Sequence, residues 1–417
     1  MRKLIVCGVG LVAALALTVP GAFGGAAQTP GVTAKTVTIG GTFPLTGPAA
    51  AYGPIPVGMK AYFSYINARR GTDGKRGVAG RQIVWKFYDD GYNPANTVQL
   101  TRRLVEQDKV FATVGQLGTE HNLAVRSYLN QAKVPQTLVS TGASYWGLQG
   151  KEYPWTIGWQ PDYIAEGRIY GQHIRANHNG KKIAVLYQND DYGKDYLFGV
   201  RAALGKTYAD ANIVAQEGFE VTATSVATQM TRIRASGATI FVLLATPTPT
   251  IRAYATGKAL GFNPEQIYLN SVSATAAFLN VAVGAAGAPY VNGSLSVAYL
   301  KDPANPQWNN DAAMKLYRQI MAKYAPSANA NNGLYLYGVA KAETFVQALY
   351  AAGKNPTRAG LMAAMLNLKS TTNKFALPGV VQKTSKTDRF VISQMQLIKY
   401  THPDWQLQGR LIEGRPR

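Results

Sequence analysis

The sequence predicts an α/β protein made of two similar halves, each a mainly parallel sheet flanked by helices. Three observations lead there. Short apolar, β-branched runs alternate with amphipathic segments of helix length through most of the chain. The strands end in loops rich in Gly, Pro, Ser, Asn or Asp, and each parallel return needs a crossover. The alternation breaks once, at the aromatic, Pro-containing run YPWTIGWQPD (153–162), and then restarts, which reads as a connector between halves.

Length and composition allow this. The chain has 417 residues, 47% hydrophobic and 16% charged, enough for two domains with real cores. Residues 1–27 are set apart from the fold. Arg2 and Lys3 are followed by an apolar run (4–19), Pro20-Gly21 breaks it, and Gly25-Ala26-Ala27 offers a cleavage site before Gln28. The expectation is a secretory signal peptide; the alternative is an uncleaved N-terminal anchor. No later run is long and apolar enough to span a bilayer, so the mature protein is expected to be soluble, in the periplasm or otherwise outside the cytoplasm. Cys7 is the only cysteine and lies inside the apolar run. The chain from Gln28 on therefore has no disulfide or thiol chemistry, which a large domain with its own core can do without. The net charge of +21 falls to +19 without Arg2 and Lys3. It reads either as attraction to anions or as a solvated surface bias. The basic residues are scattered, with pairs at Arg69-Arg70, Lys75-Arg76, Arg102-Arg103 and Lys181-Lys182 but without the runs that nucleic-acid binding uses.

The elements follow in order. Residues 37–39 form a strand, 40–53 a Gly/Pro-rich loop and 55–67 a helix with apolar and aromatic residues at helical spacing. A strand at 81–88 ends in the Asp89-Asp90-Gly91 turn. The segment 95–107 reads as an amphipathic helix, with Val98, Leu100, Leu104 and Val105 apolar and Arg102, Arg103 and Glu106 not. Strand 110–114, loop 115–118, helix 119–131, strand 136–139 and loop 140–144 complete the first half. The second half has strands at 183–187, 213–219, 240–245, 267–269 and 295–299. Helices follow the loop 188–193 and occupy 226–236, 251–260 and 274–283, with a Pro/Thr loop at 246–250. The 240–245 strand is apolar throughout, as central parallel strands are. After Asp302-Pro303 come three helices (309–324, 334–352, 358–366), an alternating strand (389–400) and a basic, frayed end.

Catalytic and cofactor signals are missing. The four histidines show no metal spacing, and there is neither a G-x-S-x-G elbow nor a Walker-type phosphate loop nor a dinucleotide fingerprint. No cofactor and no metal is expected. His121 lies near Thr119 and Glu120, but by adjacency in sequence rather than by a catalytic motif. An exported α/β chain of this kind is expected to bind rather than turn over.

The residues resemble a known family. GTFPLTGPAAAYG with the aromatic helix ending in Ile66-Asn67 resembles the opening of type I periplasmic solute-binding proteins of ABC importers, in the leucine/isoleucine/valine-binding branch. Tyr88-Asp89-Asp90, Asn93-Pro94, Val114-Gly115, Val134-Pro135, Thr141-Gly142-Ala143 and Asp191-Tyr192-Gly193 follow in the family's order. The resemblance spans residues 37–400. It implies two lobes joined by three hinge crossovers that close on a small ligand. Lobe 1 would take residues 36–157 and 298–372, and lobe 2 residues 158–297 and 373–417. The implied partners are a small-molecule ligand and an inner-membrane ABC permease, with a monomeric protein and no nucleic acid.

The loops after strands 110–114 and 136–139 put Gly118, Thr119, Gly142, Ala143 and Ser144 at strand carboxyl ends, and, carried over residue by residue, the resemblance places the ligand's carboxylate at Thr119 (or Gly118), Gly142 and Ser144. Backbone N–H groups and hydroxyls at helix N-termini suit an anion there; capping of each residue's own helix is the competing reading. Tyr52 and Tyr192 match pocket tyrosines from opposite lobes, with core packing as the alternative. Trp146 could wall the site or pack on its loop. Asp89 and Asp90 read as turn braces, and Asp190 and Asp191 either as caps or as cation ligands. Three departures stand out. Asn270-Ser271-Val272-Ser273 carries no carboxylate for an α-ammonium, Pro247 or a neighbouring Thr replaces a tyrosine, and Tyr92 and Gly118 stand where the family has a disulfide. Ser271 and Pro247 therefore mark the expected change in ligand. A buried ammonium needs a counter-charge, so an aliphatic or aromatic acid, or an amide, becomes the alternative to a branched-chain amino acid. Two other classes remain: a ligand-sensing receptor feeding a signalling partner, and a secreted enzyme.

Overall fold

A computed structural model describes residues 29–71 and 73–415, so the signal-peptide reading of residues 1–27 lies outside the described residues. The strands form two sheets. The first has the order β2-β1-β3-β4, all parallel: β1 Thr36–Phe43, β2 Gln82–Asp89, β3 Ala112–Val114 and β4 Gln136–Thr137. The second runs β11-β10-β9-β8-β7-β5-β6. Its parallel members are β5 Ile183–Gln188, β6 Ile213–Phe219, β7 Ile240–Leu244, β8 Gln266–Leu269 and β9 Leu295–Ala298. β10 Gln394–Thr401 and β11 Asp404–Glu413 add to it antiparallel.

Each sheet reverses its strand order beside its first strand, between β1 and β3 and between β5 and β7. A crevice opens beyond the carboxyl ends of the strands at such a point. The central strand β7 (IFVLL) is buried at every residue. At about 1.5–3 kcal/mol per buried aliphatic side chain, such strands anchor the loops at their ends.

The chain passes between the sheets three times. Residues 156–160 lead from β4 towards the helix Tyr163–Asn177, a segment to which the sequence reading assigned no element. Residues 299–301 lead out of β9 to the helices Ala312–Tyr324 and Gly333–Ala351, which pack on the helix Pro54–Ala68. Residues 375–382 lead back towards β10. The second and third passages pair directly: Lys301 N–H donates to Phe375 O at 3.0 Å, and Leu377 N–H donates to Tyr299 O at 2.9 Å. Trp159 of the first passage stacks edge-on against Tyr299 and donates its indole N–H to Thr344 Oγ1 at 3.0 Å.

Several expected boundaries shift for physical reasons. β4 stops at Thr137 because Leu138 adopts φ +52°, outside the strand region. The expected Pro/Thr loop is instead the first turn of the helix Pro247–Ala259; proline fits there, where the N–H has no intrahelical partner. The expected frayed end is β11, whose Trp405 is buried.

Candidate functional site

A cavity of about 150 Å³ lies between the two sheets, where the strand-end loops meet. That is similar to an engineered apolar cavity that takes up benzene. Tyr52, Gly118, Thr119, Ser140 and Thr141 line it from the first sheet. Tyr192, Thr246 and Ser271 line it from the second. The passages contribute Gln160 and Tyr299. The rest of the lining mixes apolar side chains (Leu377, Trp308, and Ile398, Trp405 and Leu407 of the C-terminal hairpin) with Lys301, Asp302, Asn305 and Gln307.

One end of the cavity is built for an anion. The helix Thr119–Gln131 begins at Gly118, whose φ of +101° suits glycine, and no side chain caps it. A first helical turn presents N–H groups and a partial positive charge. The Thr119 hydroxyl does not cap the helix; its Oγ1 lies 2.6 Å from Thr141 Oγ1. One proton serves that mutual bond, and the other is available to a ligand. A Cβ on Gly118 would run into the buried His121 ring, which stacks on Tyr92 at 4.2 Å. His121 thus packs behind the wall that Gly118 and Tyr92 form, and burial lowers its pKa.

The tyrosines span both sides. Tyr52 OH donates to Val272 O at 3.4 Å across the cavity. Tyr192 OH accepts from Asn270 Nδ2 and its ring packs edge-on against Tyr163. Burial holds the hydroxyls of Tyr52, Tyr163 and Tyr192 protonated well above the usual range.

Four expected site residues lie elsewhere. Gly142, Ala143 and Ser144 sit behind the wall rather than on it. Gly142 is where two backbones meet: its carbonyl accepts from Tyr163 N–H at 2.8 Å, and a Cβ would collide with Pro161 O and the Tyr163 ring. Ala143 packs with Val139 and Trp146. The Ser144 N–H expected for a carboxylate ligand instead donates to Asp195 Oδ2, on the helix Asp191–Leu204, at 2.8 Å. Glu120 Oε1 accepts from Asp191 N–H at 3.1 Å, so the seam between the lobes is closed by protein carboxylates. Pro247 is buried in its helix, and Thr246 faces the cavity in its place, donating to Gln188 Oε1 at 3.1 Å.

Asp89, Asp90 and Asp190 act as the turn-and-cap reading expects, while the Asp191 side chain accepts from Tyr145 OH at 3.3 Å. Asp89 accepts from the N–H groups of Leu45, Thr46 and Gly91, and Asp190 caps the helix Asp191–Leu204 through Gly193 N–H. Among the described residues, no group of three or more His, Cys, Asp or Glu could hold a metal.

Sequence reasoning missed the carboxylate behind Ser271. Glu166, buried in the helix Tyr163–Asn177, accepts from Ser271 N–H and Oγ, both at 2.6 Å, from Tyr170 OH at 2.6 Å and from Tyr196 OH at 3.0 Å. Burial raises its pKa, and these donors offset only part of that rise. With both oxygens so engaged, it has little capacity left for a ligand ammonium. The carboxylate that does line the cavity is Asp302, held by Ala304 N–H at 2.9 Å and pushed up to about 6 by burial. No local motif marks either residue, since each reaches its place through a long-range passage of the chain.

Comparison with known proteins follows this geometry. A family model described as periplasmic binding protein matches residues 36–403. An amino acid binding protein of Pseudomonas aeruginosa is 24% identical over 327 residues, covering 76% of this chain and 79% of that protein. A branched-chain amino acid ABC transporter protein from Thermus thermophilus, solved with bound valine, superposes with a TM-score of 0.77 at 17% identity, over 91% of this chain and 97% of that one. A fatty acid ABC transporter substrate-binding protein from Thermomonospora curvata superposes with a TM-score of 0.76 at 19% identity, over 93% and 94%. At these identities the two solved structures speak for the fold.

Proposed function

We propose that this chain, which belongs to the periplasmic binding protein family, is the substrate-binding component of an ABC importer and holds a small, largely apolar carboxylate between its lobes. The family is one of ligand-binding, non-enzymatic proteins with an extracytoplasmic setting. The importer permease, the signal peptide, the monomeric state and the ligand class belong to the proposal. The observation that carries it is the asymmetry of the cavity. Hydroxyls and an uncapped helix start gather at Thr119 and Thr141, while Leu377, Trp308 and Trp405 supply apolar surface elsewhere in the lining, beside Lys301 and Asp302. A carboxylate with an aliphatic or aromatic body matches that order of surfaces.

A second reading has its own support. Asp302 lines the cavity and could face the ammonium of an amino acid, the ligand that the Pseudomonas name gives and the Thermus name narrows to branched-chain. A thermal-shift panel separates the two. It holds leucine, valine and phenylalanine beside 4-methylpentanoate, phenylacetate and their amides. A ligand that binds only the folded protein raises the melting temperature with concentration. Shifts with the acids and not with the amino acids are expected. Shifts with the amino acids alone would transfer the assignment to the second reading, and no shift with any compound would overturn both.

A further inference from the structure

Beneath the hydroxyl-lined wall lies a lysine that the site has not yet used. Lys341, in the middle of the helix Gly333–Ala351, is fully buried. Its Nζ donates to Ser140 Oγ at 2.5 Å and to the Tyr337 hydroxyl at 2.8 Å. It lies 4.3 Å from the Tyr337 ring centre and 5.3 Å from that of Trp159. Among the described residues it forms no ion pair; the carboxylate on the same helix, Glu343, is held by Lys374 at 3.0 Å. The groups around it are Ser140 from the loop after β4, Tyr337 from its own helix and Trp159 from the first passage. Met59, on the helix Pro54–Ala68, lies beside its stem at Gly115. Of these only Tyr337 titrates, and burial keeps it protonated.

The hydroxyls are arranged as acceptors. Ser140 Oγ donates its own proton to Gly115 O at 2.6 Å, and Tyr337 OH donates to Gln160 Oε1 at 2.6 Å. Both must therefore accept from Nζ. Two acceptors satisfy the two N–H groups of a neutral amine, the form that burial favours. A buried ammonium needs a counter-charge, and the surrounding side chains supply none. Ser140 and Tyr337 both line the cavity, so the missing charge can come from what the cavity holds.

We infer that Lys341 is a positioning residue that selects an anionic ligand group, seating it against Ser140 and Tyr337. The lysine takes up a proton as the anion arrives. The inference rests on the carboxylate reading above and fixes which wall the anion faces. A neutral amide of the same shape gains nothing from this charge.

Isothermal titration of the protein near pH 8, in two buffers of different ionisation enthalpy, tests it. The probes are phenylacetate and 4-methylpentanoate, each beside its amide. The acids should bind with proton uptake beyond that of the amides; lobe closure is common to both and cancels. Lys341→Met should abolish the excess uptake and lower the acid-to-amide affinity ratio by about tenfold or more. Equal uptake for acids and amides in the unsubstituted protein would overturn the inference, whether or not the variant folds. So would a folded variant whose acid-to-amide ratio is unchanged. If neither series binds, the proposed ligand class falls and this inference falls with it.

Discussion

Replacing Thr119 with valine removes one hydroxyl from the anion end while keeping the shape of the side chain. In the free protein its Oγ1 shares one hydrogen bond with Thr141 Oγ1 at 2.6 Å. Thr141 Oγ1 also accepts from Ala143 N–H at 3.3 Å, so the loop keeps a partner when Thr119 is lost. The stability cost should be that of one neutral hydrogen bond, about 1 kcal/mol. The binding cost is larger because the acceptor is charged. A hydrogen bond to a charged group contributes about 1.5–3 kcal/mol, which weakens a carboxylate ligand by about 10- to 150-fold. The matching amide should lose only about three- to tenfold. Isothermal titration with phenylacetate and phenylacetamide reads both numbers, and urea unfolding reads the stability. If Thr119→Val binds phenylacetate within about threefold of the unsubstituted protein while remaining folded, the hydroxyl pair is not where the carboxylate sits.

Two further predictions concern the frame of the site. Gly142→Val places a side chain against Pro161 O and the Tyr163 ring, and should destabilise the protein by about 1–3 kcal/mol in urea unfolding; an unchanged midpoint would show that the backbones need not approach so closely. Burial lifts the Asp302 carboxyl from its ordinary 3.8 to about 6, so between those values the folded protein holds a proton that the unfolded chain has released. The contribution of this group is full below pH 3.8 and is lost as pH rises through about 6. Asp302→Asn should flatten that fall in urea midpoints measured from about pH 4 to about pH 7; an identical slope in the variant would exclude Asp302 as its source.

The fold was largely legible because its signals are local. A fully apolar run such as β7 and a helix beginning at Thr119 declare themselves by period and by the residues at their ends. The site was legible only in part. Tyr52, Gly118, Thr119, Tyr192 and Ser271 follow strand ends or open helices, and the loops carry them to the cavity. Gly142, Ala143 and Ser144 also follow a strand end. Sequence pattern does not tell which of the two sides of a loop faces the ligand and which faces the other lobe, where Asp195 takes the Ser144 N–H. Glu166 and Lys341 were hidden for a different reason. Lys341 lies on a helix whose pattern reads as ordinary packing, and Glu166 on one to which the sequence reading assigned no element. Their partners Ser271 and Ser140 are 105 and 201 residues away in sequence. A buried charge is recognised by what surrounds it, and that surrounding is assembled only in three dimensions.

The most direct test is a crystal structure of the protein with the acid that gives the largest thermal shift. The account predicts its carboxylate within hydrogen-bond distance of the Thr119 or Thr141 hydroxyl, on the side of the cavity that Ser140 and Tyr337 line, with its apolar body directed towards Trp308 and Trp405. A carboxylate found beside Ser271 or Asp302, or a ligand bound outside the space between the sheets, would contradict it.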